Sequence, residues 1–251
     1  MSLFQKMSLV SRERKLALFH RLMQPAQAMR ILDVGAQIDP DGAGGGQFID
    51  RYPWKGMISA LNISPEHIHC IQEHYPQIDA RVGDARCLPW PDKFFDLVWS
   101  NAVIEHVGGL EDQRKMAREI VRVGKRWFVT TPNRWYPFEF HMRLPLVTWL
   151  PWHGYVWCGR FVTYDHIRRR YIRGPERSLR LLSASEMSQF FPGSRIIRQR
   201  VTFMAETLIA VGGDPIGGAG APMKDKAQEP DVCKMEIRPT TGFPDSARRV
   251  R

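Results

Sequence analysis

Residues 28–46 read Ala28-Met29-Arg30-Ile31-Leu32-Asp33-Val34-Gly35-Ala36-Gln37-Ile38-Asp39-Pro40-Asp41-Gly42-Ala43-Gly44-Gly45-Gly46. A short apolar run, Ile31-Leu32, stops at an acid and a glycine, Asp33-Val34-Gly35, and a glycine-rich loop follows. Open α/β sheets bind ligands in the crevice at the carboxyl ends of their strands. A glycine there lets the backbone come close to a ligand and take up positive φ. The stretch therefore predicts a first strand over 28–35, and the rest of the chain can be read as walls for the crevice at its end.

Working outward, the same pattern recurs. Gly56–Leu61 is a second apolar run, closing at Asn62-Ile63-Ser64. Ser64-Pro65-Glu66 suits a helix start, with proline at the first helical position, and Pro76 suits its end. Ile78–Val82 predicts a strand ending at Gly83-Asp84-Ala85, and Phe94–Trp99 another ending at Ser100-Asn101. Leu110–Val123 has apolar residues at helical spacing, with Gly124 as the expected C-terminal cap. Trp127–Thr130 is a fifth strand, stopped by Thr131-Pro132-Asn133. Strand alternating with helix implies βαβ units and a parallel, doubly wound sheet. After a short helix at 185–191, Arg195–Phe203 and Glu206–Val211 are close enough to form an antiparallel hairpin. The expected fold is α/β: a doubly wound, mostly parallel, seven-stranded Rossmann-like sheet with a C-terminal antiparallel hairpin. Upstream, Leu16, Phe19, Leu22 and Met23 predict an amphipathic helix within 7–23, ended by Pro25. The organisation expected is an N-terminal helix over 1–25, a main domain over 26–212 with an aromatic and basic insertion at 134–182, and a disordered tail over 213–251.

The bulk numbers narrow the classes. At 251 residues, 43% hydrophobic and 25% charged, the chain suits a globular protein with a sizeable core. The net charge of +10 is concentrated: ten arginines lie in residues 160–200 against Asp165, Glu176 and Glu186. Such a patch suits an anionic partner, whether substrate, nucleic acid or membrane surface. Cys70, Cys87, Cys158 and Cys233 are far apart, which argues against a zinc site and a disulfide framework and fits a reducing, cytoplasmic setting. The N-terminal basic residues do not read as a secretory signal, and no run reads as a membrane span.

Five stretches in this order resemble the class I S-adenosylmethionine-dependent methyltransferases, specifically their broad small-molecule and lipid group, the methyltransferase type 11-like proteins. They are Ile31–Gly35, Leu61–Ser64, Gly83–Ala85, Phe95–Asn101 continuing to Ile104-Glu105-His106-Val107, and the closing hairpin. The resemblance implies S-adenosyl-L-methionine as cofactor. It implies that Asp33, Gly35 and Ala36 meet the methionine end, and that Asn62 and Ile63 meet the ribose and its surroundings. Asp84 and Ala85 would then meet the adenine, with Ser100 and Asn101 lining the methionine side. Two residues depart from the family pattern: Gln37 stands at its second glycine, and Asn62 where an acid is usual. Asparagine can still accept a hydroxyl hydrogen bond but carries no charge. A nicotinamide or flavin enzyme is the competing reading, but Gly42–Gln47 lacks the last glycine of G-x-G-x-x-G and follows the strand too late.

Methyl transfer from a sulfonium needs alignment above all, and an oxygen nucleophile gains from a general base. His141 is the first candidate for that base, with His106 and Glu105 beside it; no metal site is expected. The insertion carries Trp135, Tyr136, Phe138, Phe140, Trp149, Trp152, Tyr155, Trp157, Phe161 and Tyr164 beside arginines. This composition suits an amphiphilic acceptor with an anionic head, and peripheral membrane contact through residues 138–173. The function expected is O-methylation of a small-molecule, lipid-like or glycoconjugate acceptor. A non-catalytic module of the same fold is the alternative, motivated by Gln37 and Asn62. RNA methylation is the other, motivated by charge but lacking an Asn-Pro-Pro-Tyr-like motif after the fourth strand.

Overall fold

The computed structural model describes residues 3–40, 46–139, 144–150, 153–154, 157–158, 163–165, 170–172 and 179–214. Its elements begin with α1 (Leu3–Met23), β1 (Ile31–Val34), α2 (Phe48–Arg51), β2 (Ile58–Asn62), α3 (Pro65–His74), β3 (Asp79–Val82), β4 (Phe95–Asn101), α4 (Leu110–Val123) and β5 (Gly124–Pro132). Within the insertion lie two short ribbons, β6 (Phe138–Glu139) with β7 (Leu144–Pro145), and β8 (Thr163–Asp165) with β9 (Arg170–Ile172). The chain returns to the sheet through α5 (Ala184–Phe190), β10 (Arg195–Arg200) and β11 (Ala205–Gly213).

Seven strands form one sheet in the order β10-β11-β5-β4-β1-β2-β3. The pairs from β5 through β3 are parallel, while β11 runs antiparallel to both β5 and β10. The expected seven-stranded, doubly wound sheet with its closing hairpin is thus the fold observed. Strand order reverses between β1 and β4, and this switch point is where such sheets open a ligand crevice.

The central strands β1, β2, β4 and β5 are largely apolar on both faces because helices cover both, whereas β3 and β10 at the sheet edges are polar and mostly exposed. One face carries Ile31, Ile58, Ala60, Leu97, Trp99 and Phe128, packed by Phe19 and Met23 of α1, Phe48 and Ile49 of α2, and Ile68 and Ile71 of α3. The other carries Leu32, Val34, Leu61, Val98 and Val129, packed by Met116 and Ile120 of α4 and by Met187 and Phe190 of α5. Side chains alternate along a strand. Asp33, two residues after Ile31, therefore shares the α1 face, as do Asn62 after Ala60, Asn101 after Trp99, and Thr130 after Phe128.

Phe19 anchors α1 on that face. It is fully buried and meets Phe48, Trp99 and Phe128 edge-to-face, with centroids 5.4, 5.1 and 5.7 Å away. Trp99 stacks between Phe48 and Phe128 at 4.8 and 5.1 Å. The helix stops at Gln24, whose φ of +42° breaks the helical path just before Pro25.

Two expected helix caps are found, each with its own local geometry. Gly124 is the C-cap of α4 as expected, its N–H donating to Ile120 O, but its φ and ψ of −99° and 138° are extended and not left-handed, because it already belongs to β5. What requires glycine there is space, since a Cβ would lie 2.6 Å from Val98 Cγ2. Ser64 does precede α3 with Pro65 in the first turn, but its side chain makes no cap hydrogen bond. Tail residues 215–251 lie outside the described residues.

Candidate active site

The carboxyl ends of β1, β2, β4 and β5 and the start of β11 meet at one edge of the sheet, and the residues singled out from the sequence gather there. Asp33 sits near the end of β1, 4% exposed. Burial alone pushes its carboxyl up to about 8, and it has no hydrogen-bond partner among the described residues. A buried carboxyl left in that state is costly unless a ligand completes it. Directly after it, Gly35 adopts φ +79°, and a side chain there would collide with Val103. The Gly35 and Ala36 N–H groups both donate to Leu61 O, at 2.8 and 3.1 Å, which binds the start of the loop to the end of β2.

The loop then closes on acids. Asp50 Oδ2 accepts from the N–H of Asp39 at 2.9 Å and of Gln47 at 2.7 Å, and its Oδ1 accepts from the Tyr75 hydroxyl at 3.0 Å. Gly46 N–H donates to Asp39 Oδ2 at 3.2 Å. Gly42, Gly44 and Gly45 lie outside the described residues.

At the end of β2, Asn62 is buried and used structurally. Its amide donates to Ala36 O at 2.8 Å and its Oδ1 accepts from Ser64 N–H at 2.9 Å. An aspartate could not make the first bond, which accounts physically for asparagine at this position. Ile63 beside it is 70% exposed. After β3, both carboxylate oxygens of Asp84 receive the guanidinium of Arg86, with contacts of 2.6 to 3.0 Å. Burial pushes the Asp84 carboxyl up, but the hydrogen bonds from Arg86 outweigh this and hold it below its ordinary value. Arg86 also reaches Asp112 of α4 at 2.9 Å. Ala85 is buried.

At the end of β4, Ser100 is fully buried and its Oγ has no partner among the described residues. Asn101 Oδ1 accepts two bonds, from Thr130 Oγ1 and from Lys15 Nζ, both at 2.8 Å. Lys15 belongs to α1 and is 92% buried, 8% remaining exposed. Burial lowers its amine to about 8, against the opposing fields of Glu105 and Glu206 and with a smaller push from Arg12. Glu206, near the start of β11, is also buried; its Oε2 accepts from Val201 N–H at 2.8 Å, while Oε1 has no partner among the described residues.

The 3₁₀ turn Ile104–His106 follows β4. Glu105 points inward, fully buried, and accepts from Thr131 Oγ1 at 3.0 Å. His106 is exposed at the rim. Gln113 of α4 holds this turn: its amide donates to Ile104 O at 3.0 Å and Arg180 O at 2.7 Å, and its Oε1 accepts from Arg180 Nη1 at 2.6 Å. His141, the first candidate base, lies outside the described residues, as do Phe140, Trp152, Tyr155, Phe161, Arg168 and Arg169. Among the described residues no cluster of His, Cys, Asp and Glu could hold a metal ion, and no helix is long and apolar enough to cross a membrane.

The structure thus brings Asp33, Gly35, Ala36, Asn62, Ser100, Asn101 and Glu105 to one edge. Reading the sequence missed Lys15, Arg86 and Glu206. Lys15 stands among basic residues on a helix with an obvious apolar stripe, so it reads as part of the solvated face. Glu206 was legible only as the first residue of the second strand of the closing hairpin.

The arrangement suits a ligand that is cationic near Asp33. Of the buried groups with spare capacity, Asp33 and Ser100 stand near the ends of β1 and β4, and Lys15 reaches the end of β4 from α1 through Asn101. S-Adenosylmethionine, with an ammonium and a sulfonium against one carboxylate, fits that donor and acceptor set. Asn62 and Asp84 fit less fully, because their polar atoms are already engaged within the protein.

A family model described as a methyltransferase domain matches residues 41–127. The ajmaline N-methyltransferase of Rauvolfia serpentina is 36% identical over 99 residues, 37% of this chain and 31% of that protein. The ubiquinone biosynthesis O-methyltransferase of Chelativorans sp. is 28% identical over 120 residues, 45% and 44% of the two chains. The chain spans less than half the length of these curated relatives. Among solved structures, a Pyrococcus horikoshii protein superposes with a TM-score of 0.53 at 15% identity, covering 80% of this chain and 88% of that one. A Methanosarcina mazei S-adenosylmethionine-dependent methyltransferase gives 0.52 at 12% identity, covering 77% and 95%. The strand order is thus the fold shared with these structures, and residues 41–127 of this chain resemble a methyltransferase domain, joined upstream to the buried acid and positive-φ glycine that end β1.

Proposed function

We propose that the protein methylates an oxygen of a small-molecule, lipid-like or glycoconjugate acceptor. The observation that carries the reading is Asp33: a buried carboxyl without a partner, on the face of β1 that looks along the crevice at the β1/β4 switch point. In this reading Asp33 takes the cofactor's amino group, and Gly35 and Ala36 give it close backbone approach. Ile63 offers an apolar rim beside the ribose and adenine, and Ser100 and Asn101 line the methionine side. When bound, S-adenosylmethionine supplies an electrophilic methyl carbon. The protein's own part is to exclude water, to hold the acceptor in line with that carbon and to receive the acceptor's proton.

His106 suits the base role because it is exposed at the rim directly after β4. Glu105, bonded to Thr131 in the interior, suits the task of orienting that turn. His141 is the other base candidate. Alanine variants of the two histidines separate them: the base variant loses turnover at neutral pH while retaining cofactor affinity.

The acceptor class follows from the start of the insertion. Trp135, Leu146, Trp149 and Leu150 are 54, 52, 50 and 38% exposed, just after the carboxyl end of β5. Trp149 donates its indole N–H to Trp135 O at 3.2 Å, which holds this apolar surface together. Beside it the sequence is rich in arginine. An apolar body with an anionic head complements that pairing, whether free or in a bilayer interface. Release of S-adenosylhomocysteine, screened against prenyl phosphates, hydroxylated aromatic acids and glycolipids, tests the acceptor class. Flotation with anionic vesicles at low salt tests the membrane contact, and protein remaining at the bottom of the gradient removes that part.

A non-catalytic module is the second reading. It is favoured by the engagement of Asn62 with Ala36 and Ser64, and of Asp84 with Arg86, which spends groups the cofactor would otherwise use. A folded sample that fails to bind S-adenosylhomocysteine would favour it.

A further inference from the structure

Glu206 is a buried acid that the cofactor reading leaves without a task. It is 5% exposed, and its two oxygens differ. Oε2 accepts from Val201 N–H at 2.8 Å, while Oε1 is buried with no partner among the described residues. A carboxylate accepts hydrogen bonds and donates none. Sealing one of its oxygens from water without a donor is unfavourable, and such atoms are rare in folded proteins.

The backbone fixes this side chain in place. The β10–β11 register shifts between Gln199 and Arg200: Gln199 pairs with Thr207 and Arg200 with Ala205, which leaves Glu206 as the extra residue of a β-bulge. Bulges re-aim side chains and are common beside active sites. Glu206 O accepts from Asn133 N–H at 2.9 Å, and Asn133 Nδ2 donates to Ala205 O at 2.8 Å. The bulge is thereby tied to the residue that follows β5, on the crevice edge of the sheet.

Position decides which ligand it meets. On the reading above, the cofactor's groups fall to Asp33, Asn62 and Asp84 at the ends of β1, β2 and β3, with Ser100 and Asn101 of β4 beside them. The end of β5 and the start of β11 remain for the acceptor. Apolar surface begins at the same corner. Trp135, two residues after Asn133, is exposed, and its carbonyl receives the Trp149 indole N–H. Tyr136 Oη lies 3.1 Å from Thr202 Oγ1, which joins the insertion to the β10–β11 turn. An orphaned acceptor atom thus stands where an apolar wall starts. Lys15 already brings a cation into the field of this carboxylate, so a neutral donor suits Oε1 better than a second cation.

Resting on the O-methylation reading, we propose that Glu206 Oε1 accepts a hydrogen bond from a free hydroxyl of the acceptor, and that the Trp135–Trp149 surface takes the apolar body that carries it. The acceptor class is then an alcohol or phenol with an attached apolar chain. An ether of the same shape brings no donor and leaves Oε1 unmatched.

The test uses 4-hexylphenol and its methyl ether, 4-hexylanisole, each titrated calorimetrically into the full chain saturated with S-adenosylhomocysteine. The phenol should bind about 10- to 100-fold more tightly, the usual range for a hydrogen bond to a charged group. Glu206→Gln keeps the length of the side chain and an acceptor for Val201 N–H. It should cut the preference to less than about threefold, with the ether's affinity and S-adenosylhomocysteine binding unchanged. Glu206→Asp, whose shorter side chain withdraws the carboxylate, carries the same comparison if the glutamine variant does not fold. Equal affinity of the intact protein for phenol and ether, or failure to bind either, overturns the proposal, as does a preference that Glu206→Gln retains. Failure of the intact, folded protein to bind S-adenosylhomocysteine overturns the cofactor reading instead, and the two probes titrated without it still decide the contact at Glu206.

Discussion

Val103 occupies the space that a side chain on Gly35 would need. Gly35 adopts φ +79° at the turn out of β1, and Val103 comes from the turn that follows β4. The two loops that flank the switch point are therefore fitted against each other, and the crevice inherits its shape from that contact.

Gly35→Ala should fail on both counts, through a strained φ and a collision with Val103. A loss of at least about 2 kcal/mol in unfolding free energy is expected, together with loss of S-adenosylhomocysteine binding. Gly35→Ala combined with Val103→Ala relieves the collision but not the φ, so it should recover only part of the stability. Chemical denaturation of the natural chain and the two variants checks this, and full recovery in the double variant would contradict the role of the positive φ.

Removing the Phe19 ring should release α1. The side chain is fully buried against three aromatic rings, so Phe19→Ala should cost about 3–5 kcal/mol, the range for aromatic core truncations. If enough folded protein remains, its affinity for S-adenosylhomocysteine should fall, because the helix covers the face of the sheet on which Asp33 lies. A stable variant with unchanged affinity would show that α1 is dispensable to the site.

Asp33 gives the protein a pH dependence of known sign. Its folded value of about 8 lies above the ordinary value of 3.8, so the native state holds this proton more tightly than the unfolded chain does. The contribution is fully present below about pH 4 and is lost as pH rises toward 8, at no more than about 1.4 kcal/mol per pH unit. Lys15 has the opposite sign: its value is lowered from 10.5 to about 8, so native stability gains as pH rises through that window. Asp33→Asn should therefore be more stable than the natural chain at pH 8 and unable to bind the cofactor. Urea unfolding of both proteins from pH 5 to 8 checks this, and parallel curves would contradict the buried, unpartnered state of Asp33.

Gln113 should matter more than its place on α4 suggests. Its one amide ties the Ile104–His106 turn to residue 180 through three hydrogen bonds. Gln113→Ala should destabilise by about 2–3 kcal/mol, since it leaves buried carbonyls unpaired. By freeing the turn that carries Glu105 and His106, it should lower turnover more than cofactor affinity. An equal loss in both would place its effect on the whole domain.

The sheet was legible because its central strands are apolar runs that stop at small or polar residues, and those stops turned out to be their carboxyl ends. Asp33-Val34-Gly35 and Ser100-Asn101 announced the crevice for the same reason. What could not be read was how partners are chosen across the chain. Lys15 and Asn101 are 86 residues apart, and nothing local marks one lysine among its basic neighbours as the one that turns inward. Asn62 looked like a weakened ribose contact, whereas its amide is needed to hold Ala36 O. Asp84 looked free, whereas Arg86, two residues on, clamps it. Gly124 was legible as the cap of α4, but the tight packing on Val98 that requires glycine there was not.

The central claim is that Asp33 is a buried carboxyl awaiting the cofactor's amino group. Its most direct test is a calorimetric titration with S-adenosylhomocysteine near pH 7, in two buffers of different ionisation enthalpy, beside Asp33→Ala. The account predicts binding by the intact protein with release of roughly one proton, as the neutral carboxyl ionises against the ammonium. It predicts no binding by the variant. Binding without proton release, or equal binding by Asp33→Ala, would contradict it.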